Sequence, residues 1–225
     1  MDKDRSWELP DPFLKPGGGR ITKKEEWRAQ REYYKKLLEE RFYGKMPPRP
    51  DKLSGERLLT QKIWKDDGLY EKVRIQTGPH GEIRYNVHVF RPVGEGKTIP
   101  VIIPAGTFFD EDIAQMAVKQ NFSVMSFEIQ EAAPDDREKY KEGSCYKAYP
   151  GYSWRALAMW AWLQSRVIDW LETQEFADME KVVVTGHSRM GKAALCCGIY
   201  DERAAVTAPA GSGCGGMASL RLNGS

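Results

Sequence analysis

Residues Val182-Val-Val-Thr-Gly186-His187-Ser188-Arg189-Met190-Gly191-Lys192-Ala-Ala-Leu195 decide how this chain is read. The β-branched run predicts a covered strand, Gly-His-Ser a tight bend, and the residues from Met190 to Tyr200 a helix. A serine on such a bend stands exposed at the end of a sheet. Small neighbours let strand and helix approach, and the helix N-terminus offers N–H groups where a tetrahedral oxyanion would form. Ser188 is therefore the candidate nucleophile of an acyl transfer. The spacing is one residue longer than Gly-x-Ser-x-Gly, and a serine opening a helix also serves as a plain N-cap. What favours the nucleophile is the chain on either side.

Upstream, Thr98 to Ile103 and Phe122 to Phe127 read as short buried strands. Between them Asp110 is placed to cap a helix reaching Lys119 or Gln120. The longest helix is predicted from Ser153 to about Thr173. Its apolar positions lie on more than one face, so it should be largely covered. Trp154, Trp160, Trp162 and Trp170 sit at helical spacing and are expected in the core rather than as a sugar-stacking ladder. Downstream, Ala204 to Ala208 is one more strand. This alternation predicts parallel strands joined by right-handed crossovers. Tyr70 to Thr77 and Ile83 to Phe90 alternate as an antiparallel hairpin at the leading edge. The charged stretch before Asp67-Gly68 is assigned no element, Asp67-Gly68 reads as a turn, and the segment from Glu131 to Pro150 reads as a charged, proline-interrupted loop. Thr22 with Glu25 predicts a capping box opening a helix through about Tyr43. Residues 1–20, with Pro10, Pro12, Pro16 and Gly17-Gly18-Gly19, predict an irregular arm. Residues 21–225 are then the N-terminal and nucleophile portion of one α/β domain, a three-layer sandwich of mostly parallel sheet.

Composition narrows the function. The chain has 34 Lys plus Arg against 32 Asp plus Glu in 225 residues, a net charge of +2, and no basic stripe interleaved with aromatics, so a nucleic-acid partner is not expected. The longest apolar segment, Trp154 to Leu171, is broken by Arg155, Gln164, Arg166 and Asp169, which excludes it as a membrane span. No apolar leader follows Met1, and the compartment stays open. Cys145, Cys196, Cys197 and Cys214 lack Cys-x-x-Cys spacing, and with only three histidines they predict neither a disulfide framework nor a metal site. Cys196 and Cys197 are expected buried, and Cys214, flanked by Gly213 and Gly215, is assigned no environment. No cofactor is implied, and oligomeric state is not readable.

Thr185-Gly-His-Ser-Arg-Met-Gly-Lys-Ala-Ala-Leu195 resembles the nucleophile motif of the glucuronoyl esterases, a carbohydrate esterase family of the α/β-hydrolase superfamily. Leu9-Pro-Asp-Pro-Phe13, Thr22-Lys-Lys-Glu-Glu-Trp27, Ala158-Met-Trp-Ala-Trp162, Ser165-Arg-Val-Ile-Asp169 and Ala208-Pro-Ala-Gly-Ser-Gly-Cys-Gly-Gly216 resemble further segments of that family in the same order. The resemblance implies hydrolysis of a 4-O-methyl-glucuronoyl ester linking xylan to a lignin alcohol. Ser188 would be the nucleophile, Arg189 would stabilise the oxyanion, and Lys192 would bind sugar hydroxyls. It also implies a secreted or periplasmic protein. Gly106, after a buried strand, is a candidate for a further oxyanion N–H, and Thr107-Phe108-Phe109 for cleft lining.

A serine hydroxyl needs a base, and the base an orienting acid. In α/β hydrolases the order is Ser, acid, His, and no histidine follows Ser188. His187 is expected packed under the bend, and His80 and His88 lie in the edge hairpin. The position matching one family acid is Gly211. The expectation is a partial chain, inactive as written, whose acid and His lie beyond Ser225 and whose severed sheet is poorly soluble. Two alternatives remain open: an acetyl ester hydrolase of plant polysaccharide, and a non-catalytic carbohydrate-binding remnant.

Overall fold

The computed structural model describes residues 10–105 and 110–218. Its strands are β1 (Leu53–Ile63), β2 (Gly68–Thr77), β3 (Ile83–Pro92), β4 (Ile99–Ala105), β5 (Phe122–Glu128), β6 (Val183–His187) and β7 (Val206–Ala210). They form one sheet in the order β1-β2-β3-β5-β4-β6-β7. The first three strands are antiparallel and join antiparallel to β5, whereas β5, β4, β6 and β7 run parallel. Chain order steps from β4 to β5 on one side and from β6 to β7 on the other. The sheet thus has a topological switch between β4 and β6, the place where open α/β sheets form a crevice.

Helices α2 (Glu111–Val118), α3 (Ser144–Ala148), α4 (Ala156–Leu171) and α5 (Arg189–Tyr200) cover the sheet as a three-layer α/β sandwich, and α1 (Lys24–Leu38) lies against the end of α5, where the Tyr200 hydroxyl donates to the Lys35 carbonyl at 2.9 Å. The main core lies between the sheet and α4 with α5, where Tyr85, Phe127, Trp154, Trp160 and Leu163 are fully buried. A smaller cluster of Phe90, Ala114, Val118 and Val124 lies under α2 on the opposite face. All four tryptophans of the α4 region are buried, as their spacing predicts. β4 and β6 pair only at Val101↔Val183 and Ile102↔Val184. Gln164, fully buried on α4, stitches them where they part: its Nε2 donates to the carbonyls of Ile102 and Thr185, each at 3.2 Å.

Several expectations are corrected. The charged stretch before Gly68 is a strand, β1, and forms the sheet's outer edge in place of the predicted hairpin. It is exposed along almost its whole length, so it lacks the alternation that marks a half-buried strand. Glu26, not Glu25, reaches back to the N–H groups of Thr22 and Lys23, at 3.1 and 3.3 Å. The helix it opens runs to Tyr43 as its spacing predicts, its last five residues, Glu39–Tyr43, being π-helical. The segment from Glu131 to Pro150 contains a 3-10 turn, Lys139–Glu142, and the short α3. Of the predicted arm, residues 10–20 hold turns and a single bridge between Leu14 and Arg20, and Gln30 donates to the carbonyl of Leu14 at 2.8 Å, tying the segment to α1. Residues 1–9 lie outside the described residues. At the far edge, Thr207 of β7 faces Gly198 of α5, while Val206, Ala208 and Ala210 are exposed on the other side. No helix among the described residues is long and apolar enough to cross a membrane.

Candidate active site

Ser188 sits between β6 and α5 with φ 55° and ψ −120°, a backbone conformation that residues other than glycine rarely adopt. The surroundings hold it there. Its N–H donates to the Ala210 carbonyl of β7 at 2.9 Å, and its carbonyl accepts from Lys192 N–H at 3.1 Å to begin the helix. Two glycines make the bend sterically feasible. A Cβ on Gly186 would lie 2.5 Å from the Met190 carbonyl carbon, and one on Gly191 would lie 2.7 Å from the Ala210 oxygen and 2.9 Å from the Gly186 oxygen. Gly191 thus does the work expected of the glycine after the nucleophile, one position later than in Gly-x-Ser-x-Gly. Both of its close neighbours are backbone atoms of adjacent strands. Gly191→Ala is accordingly expected to destabilise the fold by about 1–3 kcal/mol, read as a lowered denaturation midpoint; an unchanged midpoint would show that the bend relaxes freely.

Ser188 is exposed, as is the side chain of Arg189. Arg189 does not extend into solvent unpartnered. Its Nη1 donates to Asp135 Oδ1 at 2.6 Å, joining the start of α5 to the loop after β5. Asp135 was not singled out by sequence. The available signal is its place after the carboxyl end of a parallel strand, where such sheets gather ligand-binding groups. Lys192 is half-buried one turn into α5, and no hydrogen bond or ion pair of its ammonium is found among the described residues. Gly106 and Thr107-Phe108-Phe109 lie outside the described residues.

The histidines are distributed differently from the expectation. His187 is exposed rather than packed under the bend, and its ring lies against Gly211, where a Cβ would come within 2.9 Å of Nε2. The imidazole therefore borders the position that matches the family acid. His88, on β3, shares a 2.8 Å hydrogen bond between its Nδ1 and the Tyr70 hydroxyl. Burial, aided by the charge of Lys72, holds its pKa below the usual histidine range. His80 lies in the turn between β2 and β3, where its N–H donates to Glu82. In the loop after β7, Met217 N–H donates to buried Ser212 Oγ at 2.9 Å, and Cys214 bridges Ala218. Burial raises the pKa of the Cys145, Cys196 and Cys197 thiols, which makes them poor competitors of Ser188 as nucleophiles.

Known proteins resemble this chain in sequence and fold. The family described as glucuronyl esterase, fungi, matches residues 73–225. A 4-O-methyl-glucuronoyl methylesterase of Schizophyllum commune is 32% identical over 222 residues, which cover 96% of this chain and 52% of that protein. The chain spans about half the length of the curated relatives it matches, 43% for the corresponding enzyme of Podospora anserina. Among solved structures, a glucuronoyl esterase from Solibacter usitatus superposes with a TM-score of 0.80 over 96% of this chain and 66% of that one; at 23% identity this likeness concerns the fold. A glucuronoyl esterase from Sporotrichum thermophile, solved with methyl 4-O-methyl-β-D-glucopyranuronate, superposes with a TM-score of 0.73 at 28% identity, over 95% of this chain and 55% of that one.

Proposed function

The chain belongs to the glucuronyl esterase family, and on that premise we propose that it supplies the nucleophile of a serine carboxylic ester hydrolase acting on 4-O-methyl-glucuronoyl esters of xylan. The observation that carries this reading is the placement of Ser188. It stands exposed at positive φ, on the bend between covered β6 and α5, at the topological switch point of the sheet. In the proposed reaction Ser188 Oγ attacks the ester carbonyl at C6 of the glucuronate, and the alcohol leaves. Water then releases the acid from the acyl-enzyme. Arg189 and the first N–H groups of α5 lie where the carbonyl oxygen gains charge. Lys192, one turn further, reaches toward sugar hydroxyls. The polymeric substrate favours a secreted or periplasmic site of action.

The imidazole that takes the Ser188 proton is assigned to none of the three histidines here. Tyr70 engages His88, His80 sits at a turn of the antiparallel strands, and His187 is turned to Gly211. Residues 1–225 alone are therefore expected to turn over esters slowly or not at all. The test of the reading is turnover of benzyl glucuronate and of acetylated xylan by the protein at its full natural length. Release of benzyl alcohol supports it, and turnover of the acetyl ester alone sinks the choice of substrate. Xylan binding without labelling of Ser188 by a fluorophosphonate would identify a non-catalytic binding protein instead.

A further inference from the structure

We propose that Asp135 is a positioning residue for Arg189, holding the guanidinium over the crevice so that its remaining donors face the ester carbonyl. The proposal rests on the reading of Ser188 and Arg189 given above. Asp135 follows β5 and Arg189 follows β6, with β4 between them in the sheet, so the ion pair links the segments that leave two strands on either side of β4, at the topological switch point. It occupies Nη1 alone. Among the described residues the rest of the guanidinium fork has no acceptor, which leaves it available to a second one.

An exposed ion pair contributes little to stability, and Arg189, with 62% of its side chain exposed, would by itself sample many rotamers. The asymmetry of this pair is what assigns it a role. Asp135 is only 16% exposed and belongs to a segment fastened at successive residues. Ala132 and Ala133 are fully buried. The Ala132 carbonyl accepts from Cys145 N–H at 3.0 Å, and the Ala133 carbonyl accepts from Trp160 Nε1 at 2.7 Å. Asp135 N–H donates to Gln130 Oε1 at 3.2 Å, and Asp136 Oδ1 receives the N–H groups of Glu138 and Lys139. A rigidly mounted carboxylate thus meets a flexible cation. Ordering the arginine before substrate arrives removes part of the entropic cost of binding.

The test measures binding of methyl 4-O-methyl-β-D-glucopyranuronate by NMR titration in a Ser188→Ala background, which prevents turnover. Asp135→Ala is expected to raise Kd about three- to tenfold, the effect of releasing one mobile side chain. Asp135→Glu should restore part of the loss, and thermal melting should not change. Arg189→Gln should weaken binding at least as much, and adding Asp135→Ala to it should weaken binding no further. If Arg189→Gln matters while Asp135→Ala binds like the parent, or if the two losses add, Asp135 does not act through Arg189 and the proposal falls. If Arg189→Gln changes nothing, or the parent binds no ester, the placement of Arg189 at the substrate fails, and the proposal with it.

Discussion

Ser188→Gly is expected to give a protein that melts higher and has lost its chemistry. The serine is held at φ 55°, and positive φ in a residue with a Cβ costs on the order of 1–3 kcal/mol. Glycine removes that strain but enlarges the conformational freedom of the unfolded chain by about 0.4–1 kcal/mol. The net gain is about 1 kcal/mol, which for a domain of this size raises Tm by about 2–4 °C. Ser188→Ala keeps the Cβ and the strain, so it should melt close to wild type. Both substitutions delete the hydroxyl, and at the protein's full natural length both should lower kcat for benzyl glucuronate at least about a thousandfold. The pair of variants separates backbone strain from chemistry. Equal melting of the two would show that the bend is not strained, and retained turnover would remove Ser188 from the reaction.

That bend was readable because its determinants are local. A β-branched run, two glycines and a helical run lie within a few residues of Ser188, and the buried segments around it repeat the same alternation. What escaped sequence reasoning depends on distant partners or on exposure. β1 is solvated along most of its length, with Leu58 and Leu59 exposed, so no hydrophobic period reveals it. Asp135 meets Arg189 across 54 residues of chain, and nothing in Pro134-Asp135-Asp136 distinguishes the paired carboxylate from its neighbour. The elbow turn sets the position of His187, and on that ground its ring is expected under the turn. Its ring lies instead over Gly211, where the absence of a side chain leaves room for it.

The second large effect lies in the core beneath the site. Trp160 is buried to 1% exposure on α4, and its indole N–H donates to the Ala133 carbonyl at 2.7 Å. Trp160→Ala should destabilise the protein by about 3–5 kcal/mol through the lost packing and the cavity left behind, a large fraction of the roughly 5–15 kcal/mol available to a domain. Trp160→Phe keeps most of the volume but leaves the Ala133 carbonyl without its donor, at about 1–3 kcal/mol. Denaturant midpoints check both magnitudes. The phenylalanine variant also tests the link from core to crevice, since Ala133 lies two residues before Asp135. If the indole is one of the fastenings that keep the carboxylate in place, Trp160→Phe should weaken ester binding in the Ser188→Ala background in the same direction as Asp135→Ala, and less strongly. Ester binding as tight as the parent's, in a variant whose midpoint has dropped, would mean that the remaining anchors at Ala132 and Asp136 hold the loop without it.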